Sequence, residues 1–160
     1  MRTFVLAGGC FWCLDAVYRT LDGVTDVVSG YIGGTAPDPS YELVCTGTTG
    51  HAEAVAVTFD ETVIPVETIL DVFFTLHDPR QLNRQGHDVG TQYRSAIFAA
   101  TPEQQAAAER VIARVNASGR WRRPITTSIE PSSTWYSAED YHQDYLRKNP
   151  GGYTCHYLRE

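Results

Sequence analysis

The chain has 160 residues, 42% hydrophobic and 20% charged, with a formal net charge of −6. That composition is that of one globular domain with a real core, and it argues against disorder. With no basic run longer than the Arg120, Arg122, Arg123 cluster, neither nucleic acid nor an anionic membrane is an expected partner.

The apolar stretch before Gly8 is too short for a signal-peptide core, and no segment approaches a membrane span, so a cytoplasmic protein is the default. In a reducing cytosol, the 4 cysteines point to catalysis, redox chemistry or a metal rather than structural disulfides. Phe4 to Ala7 reads as a strand that stops at Gly8-Gly9, and Leu14, Val17, Tyr18 and Leu21 then recur at helical spacing until Asp22-Gly23. Cys10, in Gly8-Gly-Cys-Phe-Trp-Cys, is expected in the first turn of that helix. Unpaired amides and the helix dipole favour an anion there, so its thiol should ionise more readily than a free one, whose pKa is about 8.5. A Cys-x-x-Cys that merely packs or binds a metal is the plain alternative.

Val24, Val27, Val28 and Tyr31 form the next predicted strand, followed by a long loop over 33–51 that carries Tyr41 and Cys45. Cys45 is expected to pack as a small hydrophobe. Ala52 to Phe59 is again strand-like, with Glu53 as its oddity. A carboxylate on a buried strand is costly unless it is hydrogen-bonded or protonated, so its pKa should rise. Pro65 opens a helix that ends near His77-Asp78-Pro79, and the polar, irregular stretch 79–92 carries Asp88. A strand over Tyr93 to Phe98 follows, then a helix from Thr101 as N-cap to Ala117 with Gly119 as its stop, and a strand over Ile125 to Ile129. Tyr136 to Arg147 reads as a short helix capped by Ser137, and a flexible arm carrying Cys155 begins at about 149.

This order predicts a single domain over 1–160 with a two-layer α/β sandwich, ferredoxin-like, in which helices pack on a mainly antiparallel or mixed sheet and long loops carry function. A doubly wound parallel sheet is disfavoured, because the strands at 24–32 and 52–59 are joined without a crossover helix.

Cys10 and Cys13 are neighbours on a helix surface, about 5–6 Å apart between Cβ atoms, and could form a disulfide. Cys45, Cys155, His51 and His156 lack the paired spacing of a zinc site, so a metal is not expected. Tyr41, Glu53, Asp88 and Tyr93 each read more simply as core or turn residues when taken singly. As a set, a thiolate, an acid of raised pKa and two phenols can attack an electrophilic atom while protonating the oxygen attached to it. Phe11 and Trp12 would give an apolar wall for an alkyl group.

At these residues the chain resembles the A-class peptide methionine sulfoxide reductases. Gly8-Gly-Cys-Phe-Trp, Tyr41, Gly50-His-Ala-Glu-Ala-Val, His77-Asp-Pro, Gln85-Gly-His-Asp-Val-Gly-Thr-Gln-Tyr-Arg-Ser, Tyr141-His-Gln-Asp-Tyr and Gly152-Tyr-Thr-Cys-His carry the resemblance in order over nearly the whole chain. It implies Cys10 as nucleophile, Phe11 and Trp12 as the methyl pocket, Glu53 as the acid, Tyr41 and Tyr93 as ligands of the sulfoxide oxygen, and Asp88 as support of the polar pocket. It also implies reduction of methionine S-sulfoxide, free or in proteins, as repair of oxidative damage. A sulfenic acid and an intramolecular disulfide follow, with thioredoxin as reductant and with no metal, flavin or nicotinamide cofactor implied. Cys155 is the expected resolving thiol with Cys13 as runner-up, and the protein is expected to be a monomer. The sequence departs from the pattern at His87, where the family commonly has asparagine, and in lacking the family's longer C-terminal tail. The rival readings are a general thiol-disulfide oxidoreductase using Cys10 and Cys13, and a binding or metal-bound structural module.

Overall fold

A computed structural model describes residues 2–77, 83–85, 88–117, 125–131 and 133–145, without the side chains of Arg84 and Asp88. Strand β1 (Arg2–Gly8), helix α1 (Phe11–Tyr18), strand β2 (Val24–Ile32), the short helix α2 (Tyr41–Cys45) and strand β3 (Ala52–Phe59) make up the first half. The second half holds helix α3 (Val66–Leu76), the two-residue strands β4 (Arg84–Gln85) and β5 (Asp88–Val89), strand β6 (Ser95–Ala99), helix α4 (Pro102–Ala117) and strands β7 (Ser128–Pro131) and β8 (Tyr136–Ser137).

Six strands form one sheet in the order β7-β6-β1-β3-β2-β8. Its inner four, β6-β1-β3-β2, pair antiparallel throughout, and β7 adds at one edge in parallel to β6. This is the split βαβ arrangement expected of a ferredoxin-like sandwich, with β1 and β3 at the centre. The main core lies on one face of the sheet, where Phe4, Leu6, Val55, Val57 and Ile97 meet Phe11, Leu14 and Tyr18 of α1, Ile69, Leu70 and Phe73 of α3, and Ala107, Ala108 and Val111 of α4. A smaller cluster of Ala7, Ile32, Ala52, Ala54, Ala96 and Phe98 fills the other face. The Tyr18 hydroxyl donates to the Ile69 carbonyl at 2.7 Å and ties α1 to α3. Among the described residues no helix is long and apolar enough to cross a membrane.

Several elements differ from expectation. The loop over 33–51 contains α2, whose N-cap Ser40 accepts from the Leu43 amide at 3.3 Å through its Oγ. Helix α1 stops at Tyr18, and β7 starts at Ser128 rather than Ile125. Over Tyr136–His142 the expected helix is replaced by β8, paired with β2, and a 3-10 turn at Asp140–His142. Tertiary bonds override the local helix signal there. The Gln143 side chain accepts from the Ser29 amide at 2.8 Å and donates to the Ser29 carbonyl at 2.9 Å, and the Ala138 amide donates to that carbonyl at 2.8 Å. The close seating of β8 needs a glycine on β2, since a Cβ at Gly30 would lie 2.4 Å from Trp135 and 2.6 Å from the Tyr136 carbonyl oxygen. Gly119, the region beyond residue 145 and Cys155 lie outside the described residues.

Candidate active site

The strand alternation of β3 puts Glu53 on the helix-covered face with Val55, Val57 and Phe59, opposite Tyr31 of β2. At the same edge of the sheet β1 ends, Gly9 turns the chain at φ 93°, and α1 begins. That left-handed turn suits glycine. Cys10 is the N-cap residue, in extended conformation, and its carbonyl accepts the Cys13 amide at 3.2 Å. Cys10 thus sits one residue ahead of the first helical turn. The Phe11 amide donates to Glu53 Oε1 at 3.3 Å, so the residue beside the thiol holds the acid. Both are buried, Cys10 at 7% and Glu53 at 1% exposure.

The electrostatics overturn one expectation. The Cys10 thiol is held well above its ordinary pKa by its hydrogen bond with the Cys13 thiol, by burial, and by the charges of Glu53 and Cys13; the Trp12 amide acts the other way and is outweighed. An eight-residue helix with Cys10 just outside it does not offset those effects. The charge of Glu53 also raises the hydroxyl groups of Tyr31 and Tyr41 and the Cys45 thiol, where burial is the larger cause in each case. One carboxyl group therefore adds to the rise in proton affinity of four neighbours.

Tyr41 opens α2 and Tyr93 closes a 3-10 turn over Thr91–Tyr93 just ahead of β6. The two phenols come together at Cys45, whose sulfur is hydrogen-bonded to both. Cys45 is exposed at the end of α2, so it does not pack as a core hydrophobe as expected. Phe11 is fully buried and lies 6.4 Å from Tyr41, and the Trp12 ring is 6.3 Å from Tyr41, both in stacked orientation. Asp88 falls on β5 opposite Gln85, but its side chain lies outside the described structure.

A buried thiol against a carboxyl group, beside two phenols and an aromatic wall, can attack a polarised sulfur centre and move a proton to its oxygen. The comparisons with known proteins point the same way. A family model described as peptide methionine sulfoxide reductase matches residues 2–160. The chain belongs to that family.

Among its relatives, the peptide methionine sulfoxide reductase MsrA of Clavibacter michiganensis subsp. michiganensis is 67% identical over 155 residues, covering 97% of this chain and 87% of the relative. The crystal structure of Mxr1 from Saccharomyces cerevisiae in reduced form matches with a TM-score of 0.93 at 40% identity, over 99% of this chain and 92% of that one. Mxr1 in complex with Trx2 matches with a TM-score of 0.68 at 25% identity, over 99% of this chain and 90% of that one.

Beyond the residues that the sequence singled out, the candidate site also draws on the segment after β8. Glu139 accepts from the Tyr31 hydroxyl at 2.9 Å and the Tyr41 amide at 3.1 Å. Burial pushes its carboxyl upward, but those bonds and one from its own amide hold it below the ordinary range. The Trp12 indole donates to His142 Nδ1 at 2.9 Å, and the Tyr145 ring stacks on the indole at 3.8 Å and 9°. The signal was present as Tyr141-His-Gln-Asp-Tyr, but read as a polar helix face it gave no reason for those side chains to turn inward.

Proposed function

We propose that this chain, as a single catalytic domain, reduces methionine S-sulfoxide, free or in proteins, to methionine, with Cys10 as nucleophile and Glu53 as the acid. The observation that carries the reading is the bond from the Phe11 amide to Glu53, which sets a buried carboxyl group against the turn that holds the thiol. Cys10 sulfur attacks the sulfoxide sulfur, the sulfur–oxygen bond of the substrate breaks, and the oxygen passes to Cys10 as a sulfenic acid while methionine leaves. The sulfur of the substrate is reduced and that of Cys10 oxidised. Because the resting thiol keeps its proton, that proton passes to Glu53 as the substrate binds, and Glu53 then delivers it to the sulfoxide oxygen. Tyr41 and Tyr93 hydrogen-bond that oxygen, Phe11 and Trp12 enclose the methyl group, and Asp88 supports the polar side of the pocket.

A second thiol then condenses with the sulfenic acid and water leaves. We assign this step to Cys155, on the strength of its Pro150-Gly-Gly-Tyr-Thr-Cys sequence. Cys13 is the second reading, favoured by the contact between its thiol and that of Cys10. The complex of yeast Mxr1 with Trx2 supports thioredoxin as the reductant of the resulting disulfide. The protein would act as a cytoplasmic monomer that repairs oxidised methionine.

One equivalent of methionine sulfoxide, followed by peptide mass mapping of the disulfide, tests the scheme. A Cys10–Cys155 link, with thioredoxin turnover lost but single-turnover reduction kept in Cys155→Ser, supports the assignment. A Cys10–Cys13 link with full thioredoxin turnover in that variant overturns it in favour of Cys13.

A further inference from the structure

Arg94 follows the turn that carries Tyr93 and has no part in the chemistry above. Its guanidinium, 15% exposed, is bonded along two edges. On one, Nε donates to Glu130 Oε2 at 3.0 Å and Nη2 to Glu130 Oε1 at 3.2 Å. On the other, Nη1 donates to the carbonyls of Gly50 and Thr91, each at 3.0 Å. The paired bonds to one carboxylate fix the plane of the group. It also fills its slot, since a Cβ at Gly33 would lie 2.7 Å from Nη2. An ion pair with Glu130 needs neither carbonyl, so the bonds from Nη1 call for another reason.

The two carbonyls belong to different parts of the site. Thr91 opens the three-residue 3-10 turn that Tyr93 closes, and its carbonyl accepts the Arg94 amide at 3.2 Å as well as the guanidinium. So short a turn has few bonds of its own to fix it. Gly50 leads into β3, which carries Glu53 and is paired on both sides, by β1 and β2. Glu130 lies on β7, paired with β6, and its Oε2 also accepts from the Ser128 hydroxyl at 3.0 Å. Gly50 and Glu130 are thus the fixed points, and the turn is what the guanidinium places.

Building on the reading of Tyr93 as a ligand of the sulfoxide oxygen, we infer that Arg94 is a positioning residue. Its guanidinium, held in plane by Glu130, spaces the turn of Tyr93 from the start of the strand of Glu53, and so aims the phenol at the oxygen that Glu53 protonates. Lysine keeps the charge but has no planar fork, so it cannot hold Glu130 and both carbonyls in one geometry. A misplaced phenol loses most where charge on the oxygen is greatest, in the transition state, so the rate with bound substrate should suffer more than binding.

Two experiments test this. In protein labelled with 3-fluorotyrosine, the Tyr93 fluorine signal, assigned by its loss in Tyr93→Phe, should move in Arg94→Lys while those of the buried Tyr18 and Tyr31 stay in place. A Tyr93 signal that does not move overturns the inference, whatever the activity. The second follows single-turnover reduction of methionine sulfoxide over a range of substrate concentration. Arg94→Lys should lower the saturating rate about tenfold and change the half-saturating concentration less than about twofold. In a Tyr93→Phe background the same substitution should cost about twofold or less, because the group it aims is already gone. A tenfold loss that persists without the phenol, no loss in Arg94→Lys, or no loss in Tyr93→Phe itself contradicts the positioning role. Should Arg94→Lys fail to fold, Glu130→Ala at the sheet edge replaces it. That variant frees the plane of the guanidinium and should show the same fluorine shift and a rate loss of about threefold that vanishes in Tyr93→Phe; neither sign in the folded variant overturns the inference. Absence of methionine sulfoxide reduction by the wild type would instead break the underlying functional reading, and would show before any variant is made, while the fluorine signals still decide the placement of Tyr93.

Discussion

Two buried carboxyl groups lie against α1, and their company differs. Asp15, fully buried on the helix itself, forms an ion pair with Arg19 and accepts the Asp144 amide at 2.7 Å. Glu53, equally buried on β3, accepts the Phe11 amide and sets its charge against Cys10, Tyr31, Tyr41 and Cys45. Burial raises the Asp15 carboxyl in spite of Arg19, so burial by itself does not mark a catalytic acid. The neighbours do. A carboxyl group beside a guanidinium joins two pieces of backbone, whereas one facing groups whose own protons must move is placed to control those protons.

The widest separation between the two acids should come from Glu53→Gln. The amide keeps a hydrogen-bonding group but delivers no proton, so single-turnover reduction should fall by about 10²–10⁴-fold while thermal unfolding barely moves. An unchanged rate would remove Glu53 from the mechanism. Arg19→Met addresses the other acid. Arg19 is 31% exposed, Asp15 1%, and leaving Asp15 without its cation should cost about 2–4 kcal/mol in a urea unfolding curve while the folded protein keeps its rate of reduction. A loss of rate without a loss of stability would reverse the roles assigned to the two carboxyl groups.

A smaller effect concerns pH. Cys10 is raised in the folded state, so the neutral thiol is the favoured form, and the stability it contributes is present below the unfolded thiol pKa of about 8.5 and is lost as pH rises through the folded value. Alkylation of Cys10 by iodoacetamide should accordingly be slow at neutral pH and still climb above about pH 10, where an ordinary thiol of pKa about 8.5 has levelled off. In Glu53→Gln the rise should move to lower pH, yet stay above the ordinary range because the Cys13 contact and burial remain. A profile in the variant that matches the wild type would separate the acid from the thiol.

Glu53 was legible because a carboxylate in the apolar run Ala52–Phe59 has few structural uses, and the alternation of that strand fixed which face it occupies. The place of Cys10 was legible to within one residue, since Gly8-Gly9 marks the passage from strand to helix. The direction of its proton affinity was not, because the Cys13 thiol and the Glu53 carboxyl reach it through tertiary structure that no local pattern encodes. Helix α2 has five residues, too few for periodicity, although Ser40 as its cap was a signal. The segment Tyr136–His142 carried a serine followed by acids, the usual opening of a helix, and the tertiary bonds of Gln143 and Ala138 to Ser29 explain why it became a strand and a turn.

The proposed reaction requires Cys10 to take the oxygen of the sulfoxide while an intact pocket holds the substrate. The direct test is a single turnover without reductant, in which reduced wild type and Cys10→Ser are each mixed with one equivalent of methionine S-sulfoxide and a dimedone trap. Methionine is then quantified and the modified cysteine mapped by mass. About one methionine is expected per wild-type chain, with Cys10 recovered as the dimedone adduct or in a disulfide, and none from Cys10→Ser, because a serine hydroxyl ionises too weakly to attack sulfur at neutral pH. Methionine formed by Cys10→Ser, or oxygen trapped on another cysteine while Cys10 stays a free thiol, would contradict the proposed reaction.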